Sequence, residues 1–210
     1  MPKTYKLEYF NLRGRAELSR LLMAQADMKY EDVRLSFADW GTAKGNQEKY
    51  PLGFLPVLEE DGKVISQSMT IARHLAREFG MAGQNEEEMV MIDMICETCN
   101  ELLSKMIEIA LMQGEAKPNA VKEFTEVKSL LPMKNITTWL EMNGKGNGYF
   151  VGEKMSVADL FVFSIMEHLA GKYPNILTKH PLLQAFYERM IKEPKLAAWI
   201  VKRPNQDIDI

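Results

Sequence analysis

Residues 6–20 read Lys-Leu-Glu-Tyr-Phe-Asn-Leu-Arg-Gly-Arg-Ala-Glu-Leu-Ser-Arg, and this stretch decides the fold. Apolar residues alternate with charged ones up to Tyr9, which predicts a strand with one buried face. A turn at residues 13–15 follows. The leucines within residues 18–22 then recur on one face of a helix. The stretch therefore predicts a strand, a turn and a helix in succession.

Tyr9 and Arg15 flank the predicted turn, where the strand ends and the helix begins. Ligands of open α/β sheets collect at the carboxyl ends of strands, and helix amino ends favour anions. A tyrosine hydroxyl is a neutral donor at pH 7, because its ordinary pKa is about 10. The corner can therefore hold an anion and donate a hydrogen bond to it. The same spacing is compatible with an edge aromatic and a solvated surface arginine.

Strand and helix patterns alternate over the first eighty residues in the order β-α-β-α-β-β-α. Residues 39–47 are polar and predict a loop or an irregular helix. The Asp61-Gly62 pair between two apolar runs predicts a hairpin. Beyond Gly80 only helical patterns remain, including a long helix from Pro118 to about Met142 that Pro132 should kink or split. We therefore predict an α/β domain followed by an all-α domain.

The domain limits follow from this change of pattern. Residues 1–80 form the predicted sheet domain, residues 81–86 the linker and residues 87–210 the helical domain. Ser156 and Asp159 open the most apolar helix with a capping box, which would satisfy amide groups at a buried helix start. We predict that this helix anchors the second domain and has no catalytic role.

Composition narrows the function classes. The chain carries 26 basic and 29 acidic residues, well mixed, so we expect neither a nucleic-acid surface nor membrane binding. No apolar segment of signal-peptide type stands at the start, and no apolar run is long enough to span a bilayer. Cys96 and Cys99 form a C-x-x-C pair, which we interpret as buried or half-buried helix thiols. These features favour a cytosolic protein.

Several spaced motifs closely resemble the glutathione S-transferases. The motifs are Tyr9-Phe10-Asn11-Leu12-Arg13-Gly14-Arg15-Ala16-Glu17, Asp39-Trp40, Leu55-Pro56-Val57-Leu58, Gln67-Ser68 and Ile71-Ala72-Arg73. The first is most similar to the sigma class, which includes glutathione-dependent prostaglandin D synthases and cephalopod S-crystallins. The resemblance implies a thioredoxin-like first domain and an all-helical second domain. It also implies a cytoplasmic homodimer that conjugates small hydrophobic electrophiles in detoxification. Glutathione would be the co-substrate, with no cofactor or metal.

The resemblance assigns roles residue by residue. Tyr9 would donate its hydroxyl hydrogen bond to the sulfur of glutathione, and Arg15 would add positive potential. Pro56 would follow a cis peptide bond that lets Leu55 pair with the cysteinyl backbone. Gln67 and Ser68 would hold the γ-glutamyl group. The remaining glutathione contacts would be Trp40, Lys44, Gly53, Phe54 and Glu101, and the electrophile pocket would be lined by Phe10, Leu12, Arg13, Leu103 and Met106.

The chain departs from the family at three positions. The segment between Trp40 and Pro56 is longer than in close relatives, so Lys49 is an alternative to Lys44 at the glycyl end. Phe54 stands where many relatives have Lys or Gln. Glu108 aligns with an aromatic residue of prostaglandin synthases, which disfavours prostaglandin D isomerase activity as the alternative function.

A non-enzymatic lens crystallin is a further alternative, and the 15 methionines favour it because sulfur is polarizable. Against it stand the intact glutathione contacts and the absence of the long insertion that many crystallins carry.

Overall fold

The first half of the chain forms a four-stranded sheet with helices packed on it. The computed structural model describes residues 3–206; Met1, Pro2 and residues 207–210 of the predicted domains lie outside the described residues. The elements are β1 (Tyr5–Phe10), α1 (Glu17–Gln25), β2 (Glu31–Leu35), α2 (Phe37–Ala43), β3 (Val57–Glu60), β4 (Lys63–Ser66) and α3 (Ser68–Glu78). This is the predicted β-α-β-α-β-β-α order.

The sheet runs in the order β2-β1-β3-β4, with β1 and β2 parallel and the other pairs antiparallel. The β3–β4 hairpin turns at Asp61 and Gly62, both at positive φ, as the Asp-Gly pair predicts. Residues 37–43 form a regular helix because Ser36 and Asp39 cap it reciprocally. The expectation of a loop or irregular helix missed that capping box.

The second half is helical throughout the described residues, so the fold is a thioredoxin-like sheet domain followed by a helical domain. Its helices are α4 (Glu86–Leu111), α5 (Ala116–Glu123), α6 (Leu130–Met142), α7 (Val157–Lys172), α8 (Pro174–Leu177), α9 (Pro181–Met190) and α10 (Pro194–Lys202). The short α8 was not predicted.

The long helix predicted from Pro118 is split in two. Residues Phe124–Lys128 form a π-helical turn, in which the Ser129 amide donates to the Phe124 carbonyl at 3.0 Å. Proline has no amide hydrogen, and its ring clashes with the carbonyl four residues earlier. The wider turn lets α6 restart at Leu130, so that Pro132 lies in its first turn, where no intrahelical donor is required.

The helix α7 is the core of the helical domain, as the sequence predicts. Its first turns are completely buried, and the Asp159 carboxylate accepts hydrogen bonds from the Ser156 amide at 2.8 Å and hydroxyl at 2.7 Å. The same carboxylate accepts from the Phe150 amide at 2.8 Å. The carbonyl of Met81, in the segment between α3 and α4, accepts from the Val157 amide at 2.9 Å. The start of α7 is thus tied to the end of the first domain.

A buried ionic cluster joins the two domains across α1 and α10. Glu17, on α1, accepts from Trp199 Nε1 at 2.9 Å, from Arg203 at 3.2 Å and from Arg20 at 3.3 Å. Arg203 also binds the buried Glu167 of α7. Burial opposes ionisation of Glu17, but the neighbouring arginines and Trp199 hold the pKa of its carboxyl below the ordinary value. Glu17 therefore remains charged at neutral pH.

Candidate active site

The turn between β1 and α1 packs directly against the Tyr9 ring. Gly14 opens a short 3-10 turn with φ of +40°, a conformation that side chains rarely adopt. A Cβ at this position would lie 2.8 Å from the Tyr9 hydroxyl oxygen. Glycine is therefore required here both for its backbone conformation and for the space that Tyr9 occupies.

The Tyr9 hydroxyl lies at the start of the turn, in a nearly water-free position. The side chain is 5% exposed, and its oxygen accepts a hydrogen bond from the Arg15 amide at 3.3 Å. Burial raises the pKa of Tyr9 above 10, although the Arg15 amide and the charges of Arg15 and Arg20 act to lower it. The phenol therefore keeps its proton at neutral pH and can donate a hydrogen bond to an anion.

The Arg15 side chain is fixed by the second domain. Its guanidinium donates to Asn100 Oδ1 at 3.3 Å and to Ser104 Oγ at 3.0 Å. The Ser104 hydroxyl in turn donates to the Asn100 carbonyl at 2.8 Å. Both partners lie on α4, one turn apart. The sequence patterns did not single them out, because nothing local in the chain links residues 85 or more positions apart.

A cleft of about 270 Å³ opens beside Arg15. Six predicted glutathione contacts line it together with two residues that were not predicted, Leu52 and Ser66. The six are Arg15, Phe54, Leu55, Pro56, Gln67 and Ser68. The Leu55–Pro56 peptide bond is cis, as the resemblance implies. The structure therefore brings residues from three separate motifs together around one cavity.

One end of the cleft is the amino end of α3. Gln67 precedes the helix with φ of 74°, and its side chain makes no capping hydrogen bond within the described residues. Ser68 is the first helical residue. Helix amino ends carry partial positive charge and amides without intrahelical partners, so they favour carboxylates. This end of the cleft can therefore take a carboxylate, in line with the role predicted for Gln67 and Ser68.

Five predicted contacts do not line the cleft: Tyr9, which lies behind Arg15, and four others. Trp40 is half-buried, with its ring edge-on to Tyr50 at 4.9 Å between centroids, and Lys44 is exposed where α2 ends. Gly53, with φ of 64°, connects the lining residues on either side of it. Glu101 is exposed and borders a separate hollow of about 390 Å³ between α4 and α6. Their contacts with glutathione remain predictions.

The residues of the predicted electrophile pocket differ in how exposed their side chains are. Leu12 and Met106 are buried within the hydrophobic core, whereas Phe10, Arg13 and Leu103 are half-buried. The amide of Arg13 donates to the Gln206 side chain at 2.7 Å. The partly exposed side chains therefore offer most of the surface that an electrophile could contact.

The C-x-x-C pair lies on α4, and both thiols are fully buried, as predicted. Burial raises the pKa of Cys96 and of Cys99, so neither is a thiolate near neutral pH. In the part of the chain that the structure describes, no three His, Cys, Asp or Glu residues are grouped as metal ligands. Nor does any helix of the described residues have the length and apolarity to cross a membrane.

Comparisons with known proteins agree with this architecture. Residues 5–77 match the family model described as glutathione S-transferase, N-terminal domain, and residues 100–203 match glutathione S-transferase, C-terminal domain. The hematopoietic prostaglandin D synthase of Gallus gallus is 38% identical over 204 residues, covering 97% of this chain and 98% of that protein. S-crystallin SL11 of Nototodarus sloanii is 35% identical over 203 residues, covering 96% and 98%.

Among solved structures, this chain is similar to Na-GST-3, a glutathione S-transferase of the hookworm Necator americanus described as monomeric. The two share 32% sequence identity with a TM-score of 0.87, covering 97% of this chain and 99% of that one.

Proposed function

Since this chain belongs to the glutathione S-transferase family and is a glutathione transferase, we propose that it adds the glutathione thiolate to small hydrophobic electrophiles. The observation that carries the proposal is the buried Tyr9 hydroxyl, which accepts a hydrogen bond from the amide of Arg15, a residue that lines the cleft. A sigma-type enzyme of detoxification, located in the cytoplasm, is the form of this proposal that the sequence motifs favour.

The chemistry depends on making the thiol ionise. A free thiol with a pKa of about 8.5 is only a few per cent thiolate at pH 7. Lowering that pKa by about 2 units requires about 2.7 kcal/mol of selective stabilisation of the thiolate. A hydrogen bond to a charged group contributes about 1.5–3 kcal/mol. A hydrogen bond from the Tyr9 hydroxyl, together with the positive potential of Arg15, is therefore large enough to lower the thiol pKa by about 2 units.

The peptide would lie along the cleft with its γ-glutamyl end at α3. Gln67 and Ser68 would take the glutamyl carboxylate, and the Leu55 backbone would pair with the cysteinyl residue. Trp40 and Lys44 would reach the glycyl end, and Gly53 and Phe54 would border it. This orientation places the sulfur nearest to Arg15, which lines the same cleft.

A homodimer is part of the proposal, with Glu101 reaching the glutamyl ammonium of the partner's peptide. The exposed apolar side chains of Met89, Val90 and Met94 on α4 support a protein interface, because they are 44–55% exposed within one stretch of helix. Sedimentation of the purified chain at micromolar concentration tests this, and a monomer would remove the dimer from the proposal.

The test of the chemistry compares Tyr9→Phe with wild type in the conjugation of 1-chloro-2,4-dinitrobenzene. We expect kcat/KM to fall about 100-fold near pH 7 and the pH profile to move up by about 2 units, since about 1.36 kcal/mol corresponds to each unit. The matched control is Tyr5→Phe, which removes another buried hydroxyl from the same strand and should leave the rate unchanged. Equal rates for Tyr9→Phe and wild type would remove Tyr9 from the mechanism.

Prostaglandin D isomerase activity is the second candidate, favoured by the 38% identity to the Gallus gallus enzyme. Against it, Glu108 is exposed and paired with Lys105 at 2.8 Å, where prostaglandin synthases have an aromatic residue. Product analysis with the endoperoxide separates the two activities. Retention on immobilised glutathione would argue against a purely structural, crystallin-type role.

A further inference from the structure

Glu8 is a buried carboxylate in the central strand of the sheet. It is 2% exposed and pairs in register with Val33 of β2 and Val57 of β3. Because side chains alternate along a strand, Glu8 lies on the opposite face from Tyr9. A charge at this depth is unfavourable unless it is paired and hydrogen-bonded.

The partners of Glu8 come mainly from the long segment between α2 and β3. One carboxylate oxygen accepts from the Tyr50 hydroxyl at 2.8 Å, and the other lies 2.8 Å from Lys49 Nζ. Lys6 is a weaker partner at 3.6 Å. Burial and the charge of Glu8 both raise the pKa of the Tyr50 hydroxyl, so Tyr50 remains a donor. Two consecutive residues of the segment are thus fastened to the sheet by one buried charge.

Tyr50 connects this attachment to the glutathione cleft. Its ring lies edge-on against Trp40 at 4.9 Å, and Trp40 lies edge-on against Phe10 at 6.2 Å. Its carbonyl accepts from the Gly53 amide at 2.9 Å, at the point where the chain turns into the cleft wall. Residues Leu52, Phe54 and Leu55 of that wall follow directly. The position of Tyr50 therefore influences where the Trp40 ring lies and where residues 52–55 form the wall of the cleft.

We propose that Glu8 is a positioning residue for glutathione: through Tyr50 and Lys49 it fixes the 44–55 segment against the sheet and thereby sets the affinity for the peptide. Lys49 then acts within this attachment and does not bind the glycyl carboxylate. The inference rests on the proposed function, since it assigns a role within the same cleft. Glu8, Lys49 and Tyr50 do not line the cleft beside Arg15, so they would not touch the reacting sulfur. Their expected effect is therefore on glutathione affinity.

The experiment measures glutathione binding by calorimetry and steady-state kinetics for Glu8→Gln, Tyr50→Phe and the double variant. We expect each single variant to raise the glutathione KM and Kd about tenfold, which is about 1.4 kcal/mol, with kcat at saturation within about twofold of wild type. The double variant should raise KM by much less than the product of the two, because both remove the same contact. Faster tryptic cleavage within residues 44–49 should accompany the change.

Two further variants keep the test decisive. Lys49→Met changes a partly exposed side chain and should also raise KM, so it tests the inference even where Glu8→Gln does not fold. Glu59→Gln is the matched control: it neutralises a carboxylate on β3, whose register partner on β1 is Lys6, and should leave KM unchanged.

Unchanged KM and Kd in Tyr50→Phe and Lys49→Met would overturn the inference while leaving the proposed function standing. A fall in kcat with KM unchanged would also overturn it, since a smaller folded fraction lowers apparent kcat without changing KM. Failure of wild type to bind glutathione at all would refute the proposed function itself.

Discussion

Replacing Gly14 by alanine tests how closely the turn between β1 and α1 is fitted to Tyr9. The added methyl carbon would stand 2.8 Å from the Tyr9 hydroxyl oxygen and 3.1 Å from ring atom Cε1. Ordinary contact begins near 3.4 Å, so the ring must retreat by about 0.6 Å. The hydroxyl oxygen is bonded in the plane of the ring, so it would move with the ring, against the buried core in which Tyr9 packs.

The expected losses follow from two separate terms. A non-glycine residue at φ of +40° costs about 1–2 kcal/mol of stability. A misplacement approaching 1 Å at a reacting group lowers rates by up to about 100-fold, so we expect kcat to fall about 10- to 100-fold.

The control is Gly80→Ala, which separates the two terms. Gly80 has φ of +69°, and no heavy atom lies within 4 Å of the position of its added Cβ. This variant should therefore lose similar stability in urea unfolding but keep the wild-type kcat with 1-chloro-2,4-dinitrobenzene. Wild-type kcat in Gly14→Ala, or an equal kcat loss in Gly80→Ala, would refute the argument that the turn places the hydroxyl.

Two more predictions concern Arg15 and Asp159. The double variant Asn100→Ala/Ser104→Ala removes both hydrogen-bond acceptors of the Arg15 guanidinium. We expect kcat/KM to fall about 10-fold, a loss of about 1.4 kcal/mol, with little change in the urea midpoint. An unchanged rate and an unchanged pH–rate profile would show that α4 does not position the charge. Burial raises the pKa of Asp159 to about 6, against hydrogen bonds from Phe150 and Ser156, whereas the unfolded value is about 3.9. The native state therefore binds more protons between these two pH values, and the contribution of Asp159 to the free energy of unfolding should fall by about 3 kcal/mol as the pH rises from about 4 to about 6. The difference in unfolding free energy between wild type and Asp159→Asn should change across that window, and a constant difference would contradict the raised pKa.

Local signals predicted the parts of the fold that local chemistry determines. The strand–turn–helix around Tyr9, the Asp61-Gly62 hairpin and the Ser156 capping box each depend on neighbouring residues, and each is confirmed. The π-helical turn before Pro132 was only partly anticipated. Proline predicts a break, but where the helix resumes depends on packing against the rest of the domain.

The candidate site was predictable only where motifs carried it. The lining of the cleft by Pro56, Gln67 and Ser68 came from motif resemblance, since spacing alone does not bring distant segments together. The hydrogen bonds from Arg15 to Asn100 and Ser104 could not be predicted from the sequence, because two polar residues on a helix face look like any solvent-exposed pair. Tertiary contacts between two residues that are each ordinary in the sequence are in general not predictable from local patterns.

The attachment of Arg15 to α4 makes the geometry of the cleft depend on the second domain. A protein expressed only to residue 80 would contain Tyr9, the cis-proline and the helix proposed to receive the carboxylate, yet Arg15 would lack both of its hydrogen-bond acceptors on α4. Glu17 would at the same time lose Trp199 and Arg203. Truncation at the interdomain joint should therefore lower kcat/KM by at least the roughly 10-fold factor expected for Asn100→Ala/Ser104→Ala, even where the first domain folds, and directed evolution of this scaffold has to select both domains together.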